Sequence, residues 1–297
     1  MSKFDLHSHS NYSSDGEIEV KALLDMAKEA KLDIYAISDH NTVLGAREAQ
    51  KIKDNYPFKL IPAIEIDCVY KNVELHLLGY GIDLYDDNFE IIRKNVEHQY
   101  KNASKQYIQK ISDLGIYIDI AKLEENCPDG IIVAEDIAEV VLNDPINGDN
   151  ELLLPYRENG PRSQGAYVNF YWDFCSQGKA AYVPVEFITL DEAIKIIHQA
   201  KGICVLAHPG INFANKDDYV EEIMELVEGI EAYSSYHDEK QIDKYCEIAI
   251  KHQKLITVGS DFHGKTKPHI TIGMLPVKHN ETELIEQFIE AIKKASD

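Results

Sequence analysis

Hydrophobic and polar positions change period along this chain. Short apolar runs of strand character occur at 3–7, 33–38, 59–65, 73–78, 203–207, 230–233 and 255–259. Between them apolar residues recur at helical spacing. In 17–30, Val20, Leu23, Leu24 and Ala27 fall on one side of a helix. The same spacing predicts helices over 43–55, 190–200, 219–228, 239–252 and 281–294. Thr189 with Glu192 three residues on is a capping box for the helix that begins at Leu190. This alternation predicts a mainly parallel sheet with helical crossovers, open or closed into a barrel.

The middle breaks the rhythm. One long helix is predicted over 97–114 and another over 132–142, followed by a polar, Asn/Asp/Gly/Pro-rich irregular stretch over 143–165. Strand-like alternation resumes near 181–184. The expected organisation is therefore a barrel-like domain from 1–97 and 178–297, with 98–177 inserted as a helical and loop subdomain. An insertion that interrupts a barrel near its ligand face is expected to serve as a lid.

Composition narrows the function. No apolar run among the 297 residues is long enough to span a membrane. The chain opens on a charged strand rather than an apolar leader, so a cytoplasmic location is expected. Cys68, Cys127, Cys175, Cys204 and Cys246 are scattered, form no CxxC pair, and are expected as reduced thiols. The formal net charge of −21 repels polyanions and excludes a broad duplex-DNA-binding face. A small phosphorylated partner remains compatible, because bound divalent cations reverse the sign locally.

Candidate chemistry starts at Asp5-Leu6-His7-Ser8-His9, where alternate side chains share a face. Two imidazoles from one strand can hold a metal ion, and Asp5 is placed to accept a ring N–H. Further candidates fall mostly in turns after strand-like runs: Asp15, His40 after Asp39, Glu65, His76, His208 before Pro209, and Asp261 with His263. The C-terminal ends of barrel strands meet on one face, so these residues are expected in one pocket. Six imidazoles, three carboxylates and no thiolate suit Mn, Fe or Zn. Nine ligands fit two or three divalent ions with a shared carboxylate. Asp5 and Asp39 are expected behind the ligands as orienting groups. His98, His198, His252 and His279 are read as ordinary residues, while His237 and His269 lie in polar loops that could reach substrate.

These motifs resemble the polymerase and histidinol phosphatase (PHP) superfamily of metal-dependent phosphoesterases. The matching stretches are Asp5–Ser10, 38–42, Glu65, 76–80, 207–209 and 259–264, covering both flanks of the chain. The resemblance implies a distorted (β/α)7 barrel with a metal cluster at its C-terminal face. It implies one metal on His7, His9, Glu65 and Asp261, a second sharing Glu65 with His76 and His208, and a third on Asp15, His40 and His263. All nine positions are filled.

The helical insertion is similar to a branch acting on nucleoside phosphates, nucleoside 3′,5′-bisphosphates or short oligoribonucleotides, through attack by a metal-bridging hydroxide. Relatives in that branch often carry Arg-x-His-Ile-Ala in the insertion, where this chain has Ala134-Glu135-Asp136-Ile137-Ala138. Arg157, Arg162, Lys179, Lys265 and Lys267 are the remaining basic candidates for substrate. Alternatives are a histidinol-phosphate phosphatase or cyclic phosphodiesterase of the same superfamily, an amidohydrolase acting on C–N bonds, and a non-catalytic module. The sequence leaves the oligomeric state open.

Overall fold

The computed structural model describes residues 2–128, 130–213 and 216–296. It divides into two compact units. The first comprises Met1–Ile92, Phe187–His263 and Ile270–Asp297, and the second Arg93–Glu186 with Gly264–His269. The expected insertion, 98–177, lies inside the second unit.

In the first unit the chain runs β1 (Phe4–Asp5), α1 (Val20–Glu29), β2 (Ile34–Ile37), α2 (Leu44–Ile52), β3 (Lys59–Tyr70), β4 (Val73–Tyr80) and the start of α3 (Asp87–Asp113). The second unit continues α3 and adds α4 (Ile120–Asn126), α5 (Ala134–Asn143) and α6 (Ala166–Phe170). The first unit resumes with β5 (Ile188–Thr189), α7 (Leu190–Gln199), β6 (Ile203–Leu206), α8 (Pro209–Asn212) and α9 (Asp217–Met224). It ends with β7 (Gly229–Ser234), α10 (Glu239–His252), β8 (Leu255–Gly259) and α11 (Glu281–Ser296).

Among the described residues, seven strands form a barrel in the order β1-β2-β3-β4-β6-β7-β8, with β5 attached beside β3. Its first and last strands meet where Leu6 N donates to the carbonyl of Val258 at 2.9 Å. The first unit is thus an α/β barrel with surrounding helices. Its α1 presents Val20, Leu23, Leu24 and Ala27 to Tyr35 and Ile37 of β2, with Phe58 and Phe262 completing that buried cluster.

Two local differences from the expected elements have physical causes. The sheet is not wholly parallel: β4 runs antiparallel to both β3 and β6. Lys71 and Asn72 both adopt left-handed φ, 48° and 64°, and close a two-residue hairpin that leaves no crossover helix. In addition, α3 begins ten residues before the expected 97, at Asp87. The side chain of Asp86 accepts the amide of Asn88 at 2.9 Å, and Phe89, Ile92 and Val96 are buried, so the first turns are both capped and packed.

Candidate metal centre

The hairpin decides how the site is assembled. Because β3 continues to Tyr70 and β4 folds back on it, His76 lies in mid-strand opposite Asp67 rather than at a strand end. His7 and His9 follow β1, His40 bridges to Glu65 after β2, His208 follows β6, and Asp261 and His263 follow β8. The structure brings all nine candidates together, and every one belongs to the first unit.

Their ligand atoms form three groups, within each of which they lie inside 4.8 Å of one another: His7, His9, Glu65 and Asp261; Glu65, His76 and His208; and His9, Asp15, His40 and His263. Glu65 is fully buried and splits its carboxylate. Its Oε2 lies 2.9 Å from His7 Nε2 and 3.2 Å from His9 Nε2. Its Oε1 lies 2.9 Å from His76 Nδ1 and 3.2 Å from His208 Nε2. Asp261 Oδ1 is 3.0 Å from His9 Nε2, and Asp15 Oδ2 is 2.9 Å from His263 Nε2.

Electrostatics interlock the cluster. Burial alone would depress the His7 imidazole, but Glu65, Glu231 and Asp261 outweigh it and hold its pKa well above the usual histidine range. Burial would raise the Glu65 and Asp15 carboxyls, yet the imidazoles around them hold both well below the carboxylate range. Anionic oxygens converge with ring nitrogens among buried and partly buried side chains, and this mixed donor set fits divalent cations.

The backbone is bent to achieve it. His208 has φ 20°, Asn41 φ 56° and Asp261 φ 55°, three non-glycine residues outside the ordinary regions. Such strain persists where neighbours over-determine the conformation, and it clusters at functional sites. Asn41 is held from both sides, its amide Nδ2 donating to Asp67 Oδ2 at 2.8 Å and its Oδ1 accepting from Asp67 N at 3.1 Å.

Three sequence expectations require correction. Asp5 does not accept an imidazole N–H. It takes the backbone amides of Ser260 at 2.9 Å and Gly273 at 2.8 Å, so it ties β1 to the loops after β8. Asp39 likewise accepts the amide and hydroxyl of Ser10, at 2.6 and 2.7 Å, rather than a ring. Both are buried carboxylates whose bonds run to backbone amides and, for Asp39, to the Ser10 hydroxyl as well. His237 is also committed to backbone. Its Nδ1 donates to the carbonyl of Ala232 at 2.8 Å and its Nε2 accepts from Gly210 N at 3.0 Å. Burial lowers its pKa, in keeping with a neutral ring that pins the turn after His208 rather than meeting substrate.

The imidazole partners are residues that sequence reasoning passed over. Glu231 Oε1 accepts from His7 Nδ1 at 2.9 Å, and Asp67 Oδ1 from His40 Nδ1 at 2.9 Å. Asp67 carried a signal, since it stands two residues after Glu65 on the same face of β3. Glu231 carried one too, as a lone charge inside a wholly buried strand. Tyr236 is a third: its ring edge meets His208 at 5.4 Å between centroids, and its hydroxyl bonds to the Asp261 carboxylate.

Arg157, Arg162, Lys179, Lys265, Lys267 and His269 belong to the second unit. Arg157 donates to the carbonyls of Leu142 and Asn147, both at 2.9 Å. Arg162 forks onto Asp173 at 2.9 and 3.0 Å, and Lys265 pairs with Glu139 at 3.0 Å. Lys179 and His269 are exposed, and Lys267 is buried. Asp136, which stands where relatives often have a basic residue, caps its own helix by accepting Val133 N at 3.0 Å. His98, His198, His252 and His279 lie outside the cluster, each beside a partner of its own.

A barrel carrying histidines and carboxylates in overlapping, largely buried groups defines a metal-dependent hydrolase. The family model described as PHP domain matches residues 5–134 of this chain. The chain is a metal-dependent phosphoesterase. It is 27% identical over 282 residues to the 5′-3′ exoribonuclease Rnm of Escherichia coli, covering 91% of this chain and 88% of that protein. It is 23% identical over 267 residues to the 3′,5′-nucleoside bisphosphate phosphatase of Chromobacterium violaceum, covering 89% and 88%. It is 22% identical over 276 residues to the phosphoribosyl 1,2-cyclic phosphate 1,2-diphosphodiesterase of Eggerthella lenta, covering 90% and 97%. Among solved structures, an amidohydrolase of Chromobacterium violaceum with bound sulfate superposes with a TM-score of 0.79 at 21% identity, over 96% of this chain and 97% of that one.

Proposed function

We propose that this chain releases phosphate from a small nucleoside-type substrate: a nucleoside phosphate, a nucleoside 3′,5′-bisphosphate or the end of a short oligoribonucleotide. The reading is carried by the divided carboxylate of Glu65, which faces His7 and His9 with one oxygen and His76 and His208 with the other. One carboxylate shared between two donor groups is the arrangement of a multi-cation phosphoesterase. The net charge of −21 supports a short substrate over a long polyanion. The relatives that act on ribonucleic acid and on bisphosphates support the nucleoside class.

Two or three ions of Mn, Fe or Zn are proposed. When bound, they supply Lewis acidity toward phosphoryl oxygens and lower the pKa of water. The chain's own residues hold and orient. His7, His9 and Asp261 take one position with Glu65. His76 and His208 take a second, and Asp15, His40 and His263 a third. Tyr236 offers a neutral O–H beside Asp261. A cysteine nucleophile is disfavoured, because all five thiols are buried.

The test is chelation followed by a substrate panel. Protein stripped with chelator should lose hydrolysis and regain it with manganese or zinc. Nucleoside 5′-phosphates, 3′,5′-bisphosphates and short oligoribonucleotides should be turned over faster than histidinol phosphate or cyclic sugar phosphates. Full activity in metal-free protein would refute the metal role, and preference for a cyclic diester would move the assignment to that class.

A further inference from the structure

We propose that Glu231 is a positioning residue coupling two of the cation-binding groups, fixing the ring of His7 through one oxygen and the backbone of His208 through the other. The inference rests on the reading of the cluster as a cation site. Glu231 lies on β7, inside the barrel wall, and is completely buried. Its Oε1 is 2.9 Å from His7 Nδ1, and its Oε2 accepts the amide of His208 at 3.0 Å. His7 belongs to the group with His9 and Asp261, and His208 to the group with His76. Glu65 joins those groups from the ligand side, and Glu231 joins them from behind.

Each bond has a distinct consequence. A carboxylate accepts only, so Oε1 requires a proton on His7 Nδ1. With that nitrogen holding its proton, a cation entering on the side of Glu65 and Asp261, 2.9 and 3.2 Å from Nε2, would displace the other proton and meet the Nε2 lone pair. The second bond acts on a strained residue. His208 has φ 20°, and its amide would otherwise be a buried donor in an unfavourable conformation. The surroundings leave room for this carboxylate and little else. A Cβ added at Gly259 would meet Glu231 Oε1 at 2.0 Å and His7 Cβ at 2.3 Å. Glycine at that position is what lets β8 approach the pair.

Glutamine has nearly the shape of glutamate but only one acceptor oxygen. In Glu231→Gln the amide oxygen can keep His208 N–H while its NH2 donates to His7 Nδ1. That forces the proton onto Nε2 and removes the lone pair from the cluster. In the opposite orientation, the NH2 confronts His208 N–H. The first orientation reverses the His7 tautomer, and the second loses the bond to His208.

The experiment uses the full chain, freed of metal by chelator, with zinc as probe. Isothermal titration should show E231Q binding zinc about 10- to 100-fold more weakly than wild type, or with lower stoichiometry, the range usual for loss of a group that orients a metal-bound histidine. Circular dichroism establishes that the variant is folded. Long-range proton–nitrogen spectra of zinc-loaded wild type should place the His7 proton on Nδ1, and this readout stands even if E231Q does not fold. Zinc affinity and stoichiometry unchanged in folded E231Q, or a His7 proton on Nε2 in wild type, would overturn the inference. Wild type that takes up no zinc would instead bring down the cation reading and this inference with it.

Discussion

At the scale of single residues, the division between ligand and supporting group is made by what each polar atom finds at hydrogen-bond distance. Histidine identity was a good guide to membership of the cluster but a poor guide to role. His237 resembles a candidate proton donor in sequence, yet both ring nitrogens are taken by backbone. Its contribution should depend on pH with a defined sign. Burial lowers its folded-state pKa below the unfolded value of about 6.5. The unfolded chain therefore binds the proton first, and stability rises with pH across that interval. The contribution is fully present above the unfolded pKa and is lost as pH falls through the folded one. His237→Phe should cost about 1–3 kcal/mol at neutral pH, the cost of leaving the Gly210 amide unsatisfied. Urea midpoints of wild type and variant should converge on acidification, and a gap that stays constant from about pH 7.5 to 5 would exclude this account.

At the scale of elements, local rules hold wherever no long-range partner competes. Thr189 and Glu192 form the expected box: Glu192 N donates to Thr189 Oγ1 at 3.3 Å, and Glu192 Oε2 accepts from Thr189 N at 2.9 Å. Thr189→Ala should destabilise the protein by about 1 kcal/mol while Thr189→Ser largely retains stability. Equal stabilities for the alanine and serine variants would show that the cap is not used. The hairpin of β3 and β4 is the counterexample. Its turn is written as Lys71-Asn72, which lacks the Asn-Gly signature of a left-handed two-residue loop. Eight register pairs from Ala63↔Tyr80 to Tyr70↔Val73 impose the turn instead. Because of that pairing, Asp67 comes opposite His76 and enters the site.

At the scale of the whole molecule, the acidic surface and the reduced, scattered thiols set the chemical conditions for the site. Cys68, Cys127, Cys175, Cys204 and Cys246 are all buried. Burial pushes the Cys246 thiol up to about 11 and raises Cys68 and Cys204 well above the usual thiol range. Thiolate is the reactive form, so the native protein should react slowly with an aromatic disulfide reagent at neutral pH. Denaturation should release all five equivalents. Rapid modification of even one thiol before unfolding would contradict this burial. No helix among the described residues is long and apolar enough to cross a membrane.

The sequence alone determined the main succession of strands and helices, though not the short elements β5, α4, α6 and α8, because apolar spacing reports which face of each longer element must be buried. It also identified the nine residues of the cluster, because imidazoles and carboxylates beside strand ends stand out against an apolar background. Tertiary structure decided which oxygen faces which nitrogen. Asp5 and Asp39 turned to backbone amides, while Glu231 and Asp67 reached the rings of His7 and His40. Those contacts join residues far apart in the chain, such as His7 and Glu231, 224 positions apart. Spacing along a chain carries no information about the direction a carboxylate points once the barrel has closed.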